Sequence, residues 1–313
     1  MPNLVMKILI ASSIDPEAVE KLSGRHDVIC ALNARNEELR SLVKDREILI
    51  FRSGVHIDAG MLSSAPHLGM LIRAGSGLDN VDIEYVCQRG IKLITIPEPG
   101  AKAVAEMAFA LMLAVSRNIV TAHQLLSKGR WAKAELQGHL ITDKVLGIVG
   151  LGNIGTRVAR LGAAWGMHPV GCVAHRSQER AEAMRDMGIE LLSFDEAIAV
   201  ADFVSLHVPL TESTRWLINA DALSRMKPGA FVINLARGGV VDEKALYNAL
   251  TNNSKLAGAA LDVHEQEGEG KISPLASLPN VILTPHLGAM AIESQREIGR
   301  RLIELVESFA IVA

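Results

Sequence analysis

Short apolar runs alternate with amphipathic stretches along nearly the whole chain. In the N-terminal third the runs are Lys7–Ala11, Val28–Leu32, Ile48–Phe51, Leu68–Ile72 and Ile91–Ile96. They are rich in Ile, Leu and Val and show little polar alternation, which predicts strands buried on both faces. The stretches between them carry helix signals. Asp15-Pro16 offers a capping side chain followed by a residue suited to the first helical position. The pattern through Ile83–Arg89 stops at Gly90. Repeated strand–helix units predict a parallel sheet covered on both faces. The opening residues, from Met1, read as the first strand and not as a signal peptide.

Pro97-Glu98-Pro99-Gly100 interrupts this rhythm and is the candidate hinge between two domains. A helix over about Ala103 to Arg117 follows, apolar nearly all round, which calls for burial between domains or subunits. Its most apolar run, Met107–Val115, is far short of the ~20 residues of a membrane span. After a polar stretch, Ser127 to Asp143, the runs resume as Val145–Val149, Val170–Ala174, Val204–Val208, Phe231–Leu235, Gly258–Leu261 and Val281–Thr284. Asp242 is placed to cap a helix through Leu250. A last helix over about Ile292 to Phe309 carries Ile298, Leu302, Leu305, Val306 and Phe309 on its apolar side. The pattern predicts an α/β protein with two doubly wound parallel-sheet domains.

One unit carries a chemical signature. The run ending at Val149 leads into Gly150-Leu151-Gly152-Asn153-Ile154-Gly155, and behind it Val158, Leu161, Gly162 and Trp165 fall at helical spacing. In a strand–turn–helix context these glycines let the backbone turn and approach a pyrophosphate, which sits at the positive end of the helix. The next run ends in His175-Arg176-Ser177, and no Asp or Glu occurs between Asp143 and Glu179. An acid here binds the ribose 2′-OH of NAD, whereas an arginine accommodates the 2′-phosphate of NADP. NADP(H) is therefore expected in preference to NAD(H), with NAD(H) still possible.

Composition narrows the alternatives. The 313 residues suggest about two domains. Hydrophobic residues make up 49% and charged residues 21%, enough for a large core. The net charge of −3 is spread in both signs, which argues against a nucleic-acid surface. Cys30, Cys87 and Cys172 stand singly, so a reducing cytoplasm is expected and a disulfide framework is not. No H-E-x-x-H or C-x-x-C spacing occurs, so no metal site is expected.

Ligands of open parallel sheets bind beyond the carboxyl ends of the strands. Those ends carry Arg237, Asp262, Glu267 and His286. An arginine can clamp a substrate carboxylate by two charged hydrogen bonds. A histidine can protonate a carbonyl oxygen as it becomes an alkoxide, and a neighbouring carboxylate orients the ring. The loop Glu265-Gln266-Glu267-Gly268-Glu269 offers more than one such acid. His207 and His264 read as packing residues.

Several long motifs resemble those of the D-isomer-specific 2-hydroxyacid dehydrogenases. They are Arg73 to Asp82 (RAGSGLDNVD), Ala103 to Glu106 (AVAE), the glycine motif, His207 to Thr211 (HVPLT), Met226 to Gly229 (MKPG), Asn234 to Glu243 (NLARGGVVDE), Gly258 to Val263 (GAALDV) and Leu283 to Gly288 (LTPHLG). The resemblance implies catalytic roles for Arg237, Glu267 and His286. It implies cofactor contacts at Gly150, Gly152, Asn153, Ile154, Gly155, His175, Arg176, Ser177, His207, Pro209, Thr214 and Ala236, and at Asp262 for the nicotinamide amide. Val173 stands where the family's NAD enzymes carry Asp. Substrate contacts fall on Arg52, Ser53, Ser76, Gly77, Arg237 and His286. A flavodoxin-like substrate domain is implied for 1–99 with 290–313, and a Rossmann dinucleotide-binding domain for 100–289. The implied substrate is a small 2-oxo or (R)-2-hydroxy acid, like glyoxylate, hydroxypyruvate or phosphoglycerate. The implied assembly is a homodimer through the helical segment after the hinge, with no nucleic-acid or membrane partner. A nucleotide-sensing, corepressor-like protein of the same fold is the alternative. Three places depart from the pattern: Gly100 replaces an Asn, Gly268 replaces the Pro after the acid, and Ala289-Met290-Ala291 replaces a small-residue and Thr pattern. The chain also ends soon after His286, which leaves no room for a regulatory domain.

Overall fold

The computed structural model describes residues 4–32, 34–251 and 256–312, so the first three residues of the expected opening strand lie outside the described ones. The chain divides into two compact units, Met1–Gly100 with Ala289–Ala313, and Ala101–Gly288.

The first unit is built on β1 (Lys7–Ile10), β2 (Asp27–Cys30), β3 (Ile48–Phe51), β4 (Met70–Arg73) and β5 (Lys92–Thr95). They pair in parallel in the order β2-β1-β3-β4-β5, the flavodoxin-like arrangement. Alternate residues of each strand serve opposite cores. Ile8, Ile48, Ile50 and Ile72 pack with Ile298, Leu302 and Val306 of the last helix, Ile292–Val312. Leu9, Leu49, Phe51 and Leu71 pack with Leu39, Met61 and Val86 on the other face. Both faces are covered, so the strands read as continuous apolar runs. Asp15 caps helix Pro16–Ser23 by accepting the Ala18 N–H at 3.2 Å.

The second unit holds β6 (Val145–Val149), β7 (His168–Cys172), β8 (Glu190–Leu191), β9 (Phe203–Leu206), β10 (Phe231–Asn234), β11 (Gly258–Leu261) and β12 (Val281–Leu283). Their order is β12-β11-β10-β9-β6-β7-β8, and every pairing is parallel. The chain leaves β6 in one direction and returns to place β9 on its other side. This reversal opens a crevice at the end of β6, where the glycine motif lies.

Three expectations need correction. The long helix starts before Ala103: Glu98, Pro99 and Gly100 of the hinge stretch form the first turn of helix Glu98–Ser116, and the division between the two units follows Gly100. Proline is tolerated there because its missing N–H has no helical partner anyway. The helix is therefore 19 residues long, and it is the one helix among the described residues that is long and apolar enough to cross a membrane. Its residues Ala105, Ala108, Leu111 and Met112 are buried. Next, β7 spans His168–Cys172 and not Val170–Ala174. Pro169 is accommodated because β8 pairs only with Val170 and Gly171, which leaves no edge partner for the missing N–H. Finally, Trp165 is not part of the buried helix face. It follows helix Asn153–Ala164, is 48% exposed, and stacks on Phe109.

Candidate active site

The turn leaving β6 is shaped by two glycines that have no room for a side chain. A Cβ on Gly150 (φ +96°) would stand 2.6 Å from the His207 carbonyl oxygen, and one on Gly155 would stand 2.0 Å from that of Gly150. Gly152 differs: nothing lies within 4 Å of where its Cβ would be. It is the N-cap of helix Asn153–Ala164 and has no side-chain cap. The result is an open approach to unpaired N–H groups at a helix N-terminus, which fits a pyrophosphate.

Beyond β7, His175, Arg176 and Ser177 are exposed. The Ser177 Oγ accepts the Arg180 N–H at 3.1 Å and caps helix Gln178–Asp186, so its proton remains available to an incoming anion. Arg180, which sequence reasoning missed, donates Nη2–H to the Leu151 carbonyl in the glycine turn at 3.2 Å. Hydrogen bonds from Ser193, helped by the charge of Arg176, hold the Glu196 carboxyl below its ordinary range.

At the end of β9, His207 Nε2 meets Ser205 Oγ at 2.8 Å, and its buried Nδ1 has no partner among the described residues. Burial pushes this ring down to about 3, so it is neutral and unsuited to donate a proton at neutral pH. The Thr214 hydroxyl donates to the Pro209 carbonyl at 2.6 Å and accepts the Thr211 N–H at 2.8 Å, closing the loop that follows.

The ends of β10, β11 and β12 converge on the polar residues. Buried Asn234 brackets the next turn: its Oδ1 accepts the Ala236 N–H at 3.0 Å and its Nδ2 donates to the Arg237 carbonyl at 3.1 Å. The Arg237 guanidinium donates to the Ala236 carbonyl at 2.7 Å. A Cβ on Gly238 would stand 1.7 Å from the His264 carbonyl oxygen, so only glycine lets this turn seat against the His264 loop.

Asp262 is 1% exposed and acts on its neighbours through both carboxylate oxygens. It accepts from Thr284 Oγ1 at 2.6 Å, the Leu287 N–H at 2.8 Å and the Gly288 N–H at 2.7 Å. These bonds grip the loop on both sides of His286. That residue has a left-handed backbone (φ +55°), a conformation a non-glycine residue keeps only when its surroundings enforce it.

His286 Nδ1 lies 3.0 Å from Glu267 Oε2, and Glu267 Oε1 accepts the His264 N–H at 3.2 Å. Burial raises the Glu267 pKa, but the hydrogen bond and charge of His286, with the His264 N–H, outweigh it and leave the carboxyl below its ordinary value. Glu265 is turned elsewhere. Its Oε1 accepts Trp216 Nε1–H at 3.0 Å and the Glu243 N–H at 3.3 Å. Of the two acids left open by sequence, Glu267 is the one that meets the histidine.

The first unit holds the remaining candidates. Arg73 is buried, lies over the Phe51 ring, and donates Nε–H to the Gly77 carbonyl at 2.8 Å, shaping the loop with exposed Ser76. Arg52 donates to Gln295 Oε1 at 3.2 Å and Met290 Sδ at 3.3 Å, and burial disfavours its charge. Ser53 is exposed.

Residues 109–288 match the family described as D-isomer specific 2-hydroxyacid dehydrogenase, NAD binding domain. The chain belongs to this family. The dehydrogenase is 36% identical over 303 residues to hydroxypyruvate reductase of Thermotoga maritima, covering 96% of this chain and 97% of the relative. It is 38% identical to D-3-phosphoglycerate dehydrogenase of Methanocaldococcus jannaschii over 97% of this chain, and spans 57% of that relative's length. Among solved structures it resembles an acyclic imino acid reductase (Bsp5) in complex with NADPH and D-Arg, with 28% identity, a TM-score of 0.85 and 97% of each chain covered. It also resembles the D-lactate dehydrogenase of Aquifex aeolicus with NAD and lactic acid, with 28% identity, a TM-score of 0.82, and 96% and 95% of the two chains covered. The dehydrogenase is thus an NAD(P)-dependent oxidoreductase of 2-hydroxy acids.

Proposed function

We propose that this enzyme reduces a small 2-oxo acid of the glyoxylate or hydroxypyruvate kind to its (R)-2-hydroxy acid, and that it prefers NADPH. The observation that carries the reading is the contact of Glu267 with His286, on loops at the carboxyl ends of adjacent strands near Arg237. The nicotinamide supplies a hydride to the carbonyl carbon. Arg237 clamps the substrate carboxylate and polarises the adjacent carbonyl. His286 uses Nδ1 toward Glu267, which leaves Nε2–H to protonate the carbonyl oxygen. Anionic Glu267 holds the ring through Nδ1. Asp262 holds the His286 loop and retains unused acceptor capacity for the nicotinamide amide. A screen of 2-oxo acids with NADPH and NADH tests the reading. Turnover of glyoxylate or hydroxypyruvate supports it, and inactivity with every 2-oxo acid removes it.

The NADP preference rests on His175, Arg176 and Ser177 at the end of β7, where Val173 replaces an acid. Arg176→Ala is expected to lose NADPH efficiency selectively, on the order of 10–100-fold, as hydrogen bonds to a charged group are worth about 1.5–3 kcal/mol. Equal loss with NADPH and NADH, or a wild-type preference for NADH, argues that Arg176 does not contact a 2′-phosphate.

We also infer a cytoplasmic homodimer. Ile119, Val120, Leu126, Trp131 and Leu140 are exposed on the segment after the long helix, and Trp131 is 79% exposed. Apolar surface of this kind marks an interaction site. Trp131→Asp is expected to convert a dimer to a monomer by light scattering. A wild type that is already monomeric at micromolar concentration rules the dimer out.

A further inference from the structure

We propose that Glu243 is a positioning residue, which pins both ends of the loop carrying Glu267 and so fixes that carboxylate against His286. The inference rests on the assignment of Glu267 and His286 as the acid–base pair.

Among the described residues, two carboxylates are buried, Asp262 at 1% and Glu243 at 4% exposure. Burying a carboxylate is costly unless several donors compensate it. Each of these two is compensated by a loop that carries one member of the pair. Asp262 grips the His286 loop. Glu243 grips the Glu267 loop: Oε1 accepts the Glu265 N–H at 2.7 Å, and Oε2 accepts the Ser273 hydroxyl at 2.5 Å. Glu265 returns the contact by accepting the Glu243 N–H at 3.3 Å.

The loop between these anchors has little structure of its own. Residues 265–272 form no helix or strand and are almost all exposed. Gly268 (φ +117°) and Gly270 (φ +74°) add conformational freedom directly after Glu267. A carboxylate on such a segment keeps a 3.0 Å contact only if the segment's ends are held. Helix capping does not explain Glu243. Helix Glu243–Thr251 is capped by Asp242, whose Oδ1 accepts the Ala245 N–H at 2.9 Å. The side chain of Glu243 is spent on the loop.

The charged and titratable groups around His286 are Glu267, with His264 just before its loop, and Asp262 at the end of β11, with Glu269 and Lys271 lining the same cleft; Arg237, after the neighbouring β10, shares the substrate. Glu243 touches none of the ring atoms, so it acts on the proton donor only through Glu267.

The test is the pH dependence of glyoxylate reduction with saturating NADPH, measured per folded enzyme. Glu243→Ala is expected to lower kcat by about tenfold or more. It should also move the alkaline limb to lower pH, as Glu267→Gln does. The double variant should be no worse than Glu267→Gln alone, because both act through one contact. Glu243→Gln keeps an acceptor for the Glu265 N–H and should restore the wild-type profile. Ser273→Ala removes one anchor and gives a smaller shift in the same direction, which serves if Glu243→Ala does not fold. The inference is overturned if Glu243→Ala and Ser273→Ala lose only thermal stability while their pH profiles superimpose on wild type. Fully additive losses in the double variant also overturn it. If Glu267→Gln itself leaves the profile unmoved, the pair assignment fails and this inference with it. If Glu267→Gln moves the profile and Glu243→Ala does not, the positioning role alone fails.

Discussion

Replacing His286 by alanine is expected to lower turnover of a 2-oxo acid by about 10²–10⁴-fold, the usual worth of a positioned acid–base group. Affinity for NADPH should change little. The ring is committed at Nδ1 to Glu267, so Nε2 is the one site that can deliver the proton. The loop should survive the change, because Asp262 holds it through Thr284, Leu287 and Gly288 and not through the ring. The phosphate-binding turn should survive too. It leaves β6, four strands from β12, or roughly 19 Å at about 4.8 Å per strand. Steady-state kinetics with a fluorescence titration of NADPH check both halves. Wild-type turnover in His286→Ala would remove the residue from the proton-donor role.

Arg237→Lys is expected to cost about 10–100-fold in kcat/KM for glyoxylate, even though the charge is kept. A guanidinium presents two parallel donors to a carboxylate, whereas an ammonium presents a single point of charge. Losing one charge-assisted hydrogen bond costs about 1.5–3 kcal/mol. The backbone around Arg237 is fixed by Asn234 from below and by the fit of Gly238 against His264. The lysine side chain therefore has no way to recover the geometry by moving the turn. Kinetics indistinguishable from wild type would mean that Arg237 does not hold the substrate carboxylate.

Much of this was legible in the sequence because the central strands are buried on both faces. β3 and β6 are unbroken apolar runs, and their ends follow from the pattern alone. The glycine motif was equally clear, since Gly150 and Gly155 are required by backbone contacts that any version of this turn must make. Legibility fails where the decisive partner is distant in sequence. Nothing local distinguishes Glu265 from Glu267; Trp216 and Glu243 draw the first away, and His286 receives the second. Buried Asn234 and Glu243 lie inside recognised motifs, yet their work depends on turns and loops they meet only when folded. Helix Gln178–Asp186 buries only Met184, so it has no apolar stripe to betray it. β8 is two residues long and pairs on one side. The start of the long helix was misplaced because Pro-x-Pro-Gly breaks most helices, although here it begins one.

The pH–rate profile of glyoxylate reduction in wild type, Glu267→Gln and Glu265→Gln tests the central claim, that a Glu267–His286 pair delivers the proton. Glu267 keeps its negative charge down to pH values below its ordinary carboxyl range, so it is an anion throughout the assay. Removing that charge leaves the proton donor without its anionic partner, and the alkaline limb should move to lower pH in Glu267→Gln. Glu265→Gln retains an acceptor for Trp216 and the Glu243 N–H and should follow the wild-type curve. Three superimposed profiles, or a displaced profile in Glu265→Gln alone, would contradict the account.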